Sequence, residues 1–423
     1  MSTLLKLQRA PFFILIKEGK LIFMASNYSL ALNRNIYKYY AHRILAKRAY
    51  LPLIAVYAVN VAKVSLFELG AIAAITATVQ FLLEIPSGYI SDKVGHKRAL
   101  VFGSIIISVS PMAYILWPNF TGIMLGSVIF FAGVSFHSGT MEAFVHETLL
   151  ELKREKETAK IMGLSQTIGL AGNVAMVSLV PLTYMVDVRL PFAIGGVILL
   201  ADLVLMLTFT TPLKTHKSVQ ELEHVSFTRL IRALHGSKHH LIFILLGVAT
   251  AVSHMVPEFR ELLFQEIGVP TVLFGFILGA SSLVGVVFSY NIHKLHRVLP
   301  AKKFYLFDLL TLTILTIFIG LATNPVVGVI LFVLFTAYSR SRRIPIQAYL
   351  LADSPTRKLK ATYLSLLTFF SSLNIIWVPL FLGYMIGELG INRGYTAFGI
   401  ITLVLLLGLY GIYNRGLRQP DST

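Results

Sequence analysis

The spacing of the apolar runs constrains this chain most. Stretches of about 20 residues with almost no charge recur along its 423 residues, separated by short polar turns. About 20 helical residues reach about 30 Å, the thickness of a bilayer's hydrocarbon core. In lipid the backbone must satisfy its own hydrogen bonds, so each run reads as a membrane-spanning helix. The predicted spans are 35–62, 66–90, 99–117, 120–147, 160–186, 190–211, 240–264, 268–292, 303–322, 325–350, 360–387 and 394–414. They form two sets of six. The expected division is an extension at 1–34, a bundle at 35–211, a polar linker at 212–238, a bundle at 239–414 and a tail at 415–423.

Span 1 is the least regular. Its apolar part, 49–62, is about 14 residues and reaches only about 21 Å. It must extend back toward Asn35 to cross, which places Arg43, Lys47 and Arg48 inside the membrane, with Pro52 as an expected kink.

The composition agrees: 56% of residues are hydrophobic and 13% charged, where a soluble domain carries about a quarter. A net charge of +17 would suit nucleic acid in a soluble protein. Here the cations sit in short loops, the pattern of cytoplasmic membrane loops, so no nucleic-acid partner is expected. Lys93, Lys97, Arg98, Lys153, Arg154, Lys156, Lys302, Lys303, Arg357, Lys358 and Arg415 all fall on one side. Both termini and the linker are therefore expected in the cytoplasm, with the chain in the inner cell membrane. There is no cysteine to form a disulfide or ligate a metal. The linker histidines (His216, His224, His235, His239 and His240) lack the spacing of a compact metal site. Lys17, Glu18 and Lys20 interrupt any signal-peptide core, and Met1 and Met24 both stand open as starts.

Ionisable groups inside the spans need a partner or a wet cavity. They cluster on span 1 (His42, Arg43, Lys47, Arg48), span 4 (Glu142), span 7 (Glu258, Arg260, Glu261) and span 10 (Arg340, Arg342, Arg343), every third helix. Asp202 and Asp308 read as single structural acids.

Between spans 2 and 3 lies Gly88-Tyr89-Ile90-Ser91-Asp92-Lys93-Val94-Gly95-His96-Lys97-Arg98. Gly88 suits a close approach of helix ends, Gly95 a sharp reversal, and Asp92 the positive end of a helix. This turn resembles the loop between helices 2 and 3 of the major facilitator superfamily, a family of secondary transporters. Gly88, Asp92, Lys93, Gly95, Lys97 and Arg98 fit its pattern, and His96 stands where the family usually has Arg. Ser138-Gly139-Thr140-Met141-Glu142-Ala143 resembles the Ser-Gly-x-x-Glu-Ala stretch of one bacterial subgroup, with His146-Glu147 where a Tyr-Asp usually follows. Lys360-Ala361-Thr362 is similar to the family's opening of span 11. A weak internal repeat, offset by about 201–202 residues, aligns Tyr89–His96 with Tyr290–Arg297.

The resemblance covers 35–414. It implies an all-α membrane protein of two pseudo-symmetric six-helix bundles, with spans 1, 4, 7 and 10 lining a central cavity that opens to each side in turn. The expected function is a monomeric secondary transporter of a small organic solute, leaning toward anions, with no cofactor. Arg43, Lys47, Arg48, Arg260, Arg342 and Arg343 are the candidate substrate ligands. Glu142, with Gly88, Asp92, Lys93, Gly95, Lys97 and Arg98, is assigned to coupling or gating. Glu142 could carry a proton or lock an arginine. The cations of spans 1 and 10 could also be rim charges that snorkel to the interface.

Two features speak against proton-driven drug efflux, the nearest alternative. Ile129 stands four residues before Gly133, where drug antiporters often have Arg, and span 5 lacks a Gly-Pro pair. A sensor or enzyme on the same fold is the remote alternative. No nucleophile–base pair or phosphate loop supports enzymatic work.

Overall fold

The computed structural model describes residues 20–213, 240–352 and 360–416. Most of the linker, the first 19 residues, Arg357, Lys358 and the end of the tail lie outside the described residues, as do the side chains of 360–365. Among the described residues every regular element is helical.

The chain runs through α1 (Lys20–Leu45), α2 (Ile54–Asn60), α3 (Leu66–Val94), α4 (His96–Leu116), α5 (Phe120–His137), α6 (Thr140–Glu151), α7 (Thr158–Leu179) and α8 (Leu190–Leu207). After the linker come α9 (His240–Met255), α10 (Arg260–Glu266), α11 (Phe274–Val298), α12 (Ala301–Leu321), α13 (Pro325–Ser341), α14 (Arg343–Ala352), α15 (Lys360–Leu389) and α16 (Ile391–Gly416). Eleven spans are long and apolar enough to cross a membrane. Span 1 supplies the twelfth. Its cations lower its hydropathy, and only the short apolar piece Leu51–Asn60 stands out.

The helix starts follow local chemistry. Ser65 and Glu68 form a reciprocal capping box at the start of α3. Asn324 caps α13, whose first residue is Pro325. Gly95 takes φ 93° at the reversal between α3 and α4, where a side chain would be strained. Pro86 lies inside α3 without ending it.

The boundary expected at residue 34 is not where the helix begins. α1 is continuous from Lys20, and Tyr28 and Asn35 along it dock on the end of span 6. The Leu213 amide donates to the Tyr28 hydroxyl at 2.9 Å, and Asn35 exchanges hydrogen bonds with the Thr210 backbone.

Spans 1, 4, 7 and 10 are each interrupted. Span 1 leaves the helix at 46–50 before the short turn Leu51–Leu53. Span 4 breaks at Ser138-Gly139, where Gly139 takes φ 73°. Span 7 tightens to a 3-10 turn over Val256–Phe259, ahead of α10. Span 10 breaks at Arg342. Pro52 and Pro257 sit in two of these turns, where a missing amide costs little.

The halves meet at the end of the bundle opposite the Gly88–Arg98 turn. There a Cβ on Gly275 would strike the Val177 carbonyl, and one on Gly70 the Pro379 carbonyl. Asn60 donates to Gln265 across the same seam at 3.1 Å. The main apolar core joins this far end of the first bundle, Ala55 to Ile72, with the second bundle from Ile242 onward. A separate core around Tyr39, Leu100, Phe144 and Leu149 fills the turn end of the first bundle. At the turn end the two halves part, and the glycine approaches and the amide pair that join them all lie at the far end. A Cβ on Gly88 or Gly163 would meet nothing within 4 Å. The close approach expected at Gly88 is therefore not made in this conformation. Tyr89 and Tyr290, aligned by the internal repeat, are 65% and 76% exposed.

Candidate functional site

The breaks of spans 1 and 7 lie toward the far end, beside Tyr114 and Tyr395, and those of spans 4 and 10 nearer the turn end, beside Leu100 and Asp308, with charged side chains between them. On span 1, Arg43 donates to Gln166 Oε1 and lies 3.9 Å from Glu142 Oε1. Glu142 follows the Gly139 break, so this pair bridges the two interrupted helices of the first bundle. Arg48 lies over the rings of Phe130 and Phe131, at 4.4 and 4.6 Å from their centroids. Its charge also acts on Glu258 across the crevice. Lys47 has no carboxylate or hydrogen-bond partner among the described residues, and the charge of Arg43 acts on it.

From the second bundle, His254 and Glu258 stand one turn apart on span 7. Both are exposed, yet both are walled in by protein, so they face an interior crevice. Arg260 pairs with Glu261, its Nε donating at 2.9 Å, and its charge also acts on Glu258. Arg340 opens onto the same crevice, donates to Ser282 Oγ at 2.9 Å and feels the charge of Arg260.

Arg342 is elsewhere. It is 2% exposed, with Nε and Nη2 on the two oxygens of Asp308 at 2.7 and 2.5 Å. Tyr338 donates to the same Asp308 at 2.8 Å, and Arg342 Nη1 reaches Thr250. In this conformation both prongs of the guanidinium are taken, so the expectation that Arg342 holds substrate is corrected. Asp308 is its structural partner. Arg343, one residue on, is exposed, and its charge reaches His254 together with that of Arg342.

The turn between spans 2 and 3 stands away from the crevice. Asp92, Lys93 and Arg98 are exposed, and Lys97 is half-buried. His96 meets Ser91 Oγ through Nδ1 at 2.9 Å and Glu147 through Nε2 at 3.4 Å. Asp92 acts on the same Glu147. The residue in the family's arginine position thus ties the turn to the end of span 4.

The clustering of charge along the sequence picks out Glu258 but passes over His254. Their spacing of four residues was the available signal, since in an unbroken α-helix it puts both on one face. No run of three or more metal-ligating side chains occurs among the described residues.

Twelve spans in two bundles, with a charged crevice among the four broken helices, define a multi-pass membrane transporter of small molecules rather than an enzyme. The chain belongs to the Major Facilitator Superfamily, whose sequence model matches residues 40–379. It is 27% identical over 136 residues to the inner membrane transport protein YajR of Escherichia coli (strain K12), a match spanning 32% of this chain and 29% of that protein. Among solved structures, the nucleoside transporter NupG superposes with a TM-score of 0.74 at 13% identity, covering 93% of this chain and 100% of that one. A D-xylose-proton symporter superposes with a TM-score of 0.65 at 14% identity, covering 90% and 97%. At such identities these structures bear on the fold alone.

Proposed function

We propose that this transporter moves a small organic anion by alternating access and works as a monomer in the cytoplasmic membrane. The positive-inside pattern puts both termini and the Gly88–Arg98 turn in the cytoplasm. On that orientation the parted end faces inward. One observation carries the substrate class. The crevice holds cations in excess, and Lys47 and Arg340 have no carboxylate partner among the described residues. Unpaired charge in a low-dielectric crevice is costly, and a carboxylate or phosphate entering the site relieves it. Arg48, resting on two rings, and Arg260 complete the basic wall, while Glu258 opposes them and selects against a second negative group.

Glu142 and Arg43 act as a gate on the cytoplasmic side of the crevice. Their separation of 3.9 Å and the partial exposure of Glu142 suit a pair that opens and closes.

The test is a thermal-stabilisation panel on purified protein, comparing small carboxylates and organic phosphates with lipophilic cations. Anions raise the melting temperature of the parent, and the rise disappears in K47A and R340A. Stabilisation by lipophilic cations alone overturns the anion reading and favours the efflux alternative.

A further inference from the structure

A second titratable cluster lies inside the first bundle, away from the crevice. His42 Nδ1 meets Asp202 Oδ1 at 2.8 Å, with both side chains almost wholly enclosed. The His137 ring lies 5.2 Å from that of His42, tilted by 35°. His137 Nε2 is 3.1 Å from the Leu100 carbonyl and 3.2 Å from Ser104 Oγ. A carbonyl only accepts, so Nε2 carries the hydrogen there. The cluster ties spans 1, 3, 4 and 6 together at one depth.

The neighbours leave little alternative charge. Asp202 is the only ionisable residue of α8. Span 3 offers Ser104 and the Leu100 carbonyl, with Lys97 nearly one turn further on. Span 4 offers His137, and Glu142 beyond the break is held by Arg43. On α1, Lys38 lies one turn from His42 with its ammonium on the Thr208 carbonyl, where it also feels Lys97 and Arg34. Arg43 points the other way, to Gln166 on span 5.

The second bundle has a matching core built on an arginine. Arg342 on span 10, Asp308 on span 9 and Thr250 on span 7 occupy the helices that the internal repeat pairs with spans 4, 3 and 1. An arginine keeps its charge at any physiological pH, whereas histidine gains and loses its proton near neutrality. One bundle is thus locked by a permanent cation and the other by a removable one.

We propose that the His42–Asp202 pair is the proton-binding site of this transporter. The proton sits on the His42 imidazole, and its release leaves Asp202 as an enclosed anion. A carboxylate cannot stay in that environment without a cation or water. Deprotonation therefore loosens span 1 from span 6. Because His42 and Arg43 adjoin in sequence, it also disturbs the Arg43–Glu142 bridge at the break of span 4. A second proton on His137 is opposed by the neighbouring His42 cation, so the cluster loads one proton at a time. The proposal rests on transport by this chain, not on the anionic substrate.

The chain has no cysteine, so a pair of engineered cysteines can be spin-labelled cleanly. Leu164 on span 5 and Val287 on span 8, both exposed near the parted end, are suitable sites. The test is the distance distribution of L164C/V287C in nanodiscs between pH 5 and pH 9, with no substrate added. The long distance of the parted state dominates at pH 5, and a shorter population grows toward pH 9. H42Q abolishes that shift, and D202N does so independently should H42Q fail to fold. A parent distribution that does not change with pH overturns the proposal. So does a shift that survives in H42Q and D202N, or one that vanishes in H254Q or H96Q while surviving in H42Q.

Discussion

Arg342 and Asp308 face each other through two parallel hydrogen bonds, 34 residues apart in sequence and enclosed in the second bundle. Such a pair is worth little against apolar residues of equal volume but is costly to break on one side. Asp308→Ala is expected to lower stability by about 3–5 kcal/mol, and the double change Asp308→Leu with Arg342→Met to recover most of it. Thermal unfolding in detergent measures both. Equal loss in the single and double variants would show that Arg342 does more than balance Asp308.

Lys47 and Arg340 are expected to behave differently, because neither has a carboxylate to abandon. Lys47→Ala or Arg340→Ala weakens binding of an anionic solute by about tenfold, the worth of one charge-assisted hydrogen bond. Each leaves the melting temperature of the empty protein unchanged or raised. Calorimetry on the solute found in the stabilisation panel gives the affinity.

Much of this arrangement was legible in the sequence. The shortness of the 49–62 run bounds the depth of the span 1 cations, since a helix of that length cannot cross lipid. The every-third-helix pattern of charge marked the four helices that turn out to be broken. The partners were not legible. His42 meets Asp202 across 160 positions and Arg342 meets Asp308 across 34, and nothing local in either segment encodes the match. Asp202 and Asp308 looked solitary because hydropathy and periodicity describe one helix at a time. The breaks were half-visible. Gly139 and Pro257 were there to read, as was Pro345, which cannot donate back to the turn that holds Arg342.

Gly139→Ala is expected to cost about 1–2 kcal/mol, because φ 73° is a left-handed conformation that an alanine side chain resists. A Cβ there meets no neighbour within 4 Å, so the cost is backbone strain alone. Relief of that strain straightens span 4 and separates Glu142 from Arg43. The expected signature is a modest loss of melting temperature with a large loss of transport.

Gly275→Ala acts at the seam between the halves. Its Cβ would run into the Val177 carbonyl, and backbone cannot step aside as a side chain can. The sealed far end is therefore forced apart, and spin labels across it report longer distances than in the parent. Gly163→Ala, which meets nothing within 4 Å, leaves those distances unchanged.

The seam is made where glycines let one backbone lie against another, and among the described residues the Asn60–Gln265 amide pair is the hydrogen bond that crosses it. Peeling such a joint apart would expose the apolar core that joins the halves there, so a ligand that favours the other arrangement must bind it more tightly by at least that cost.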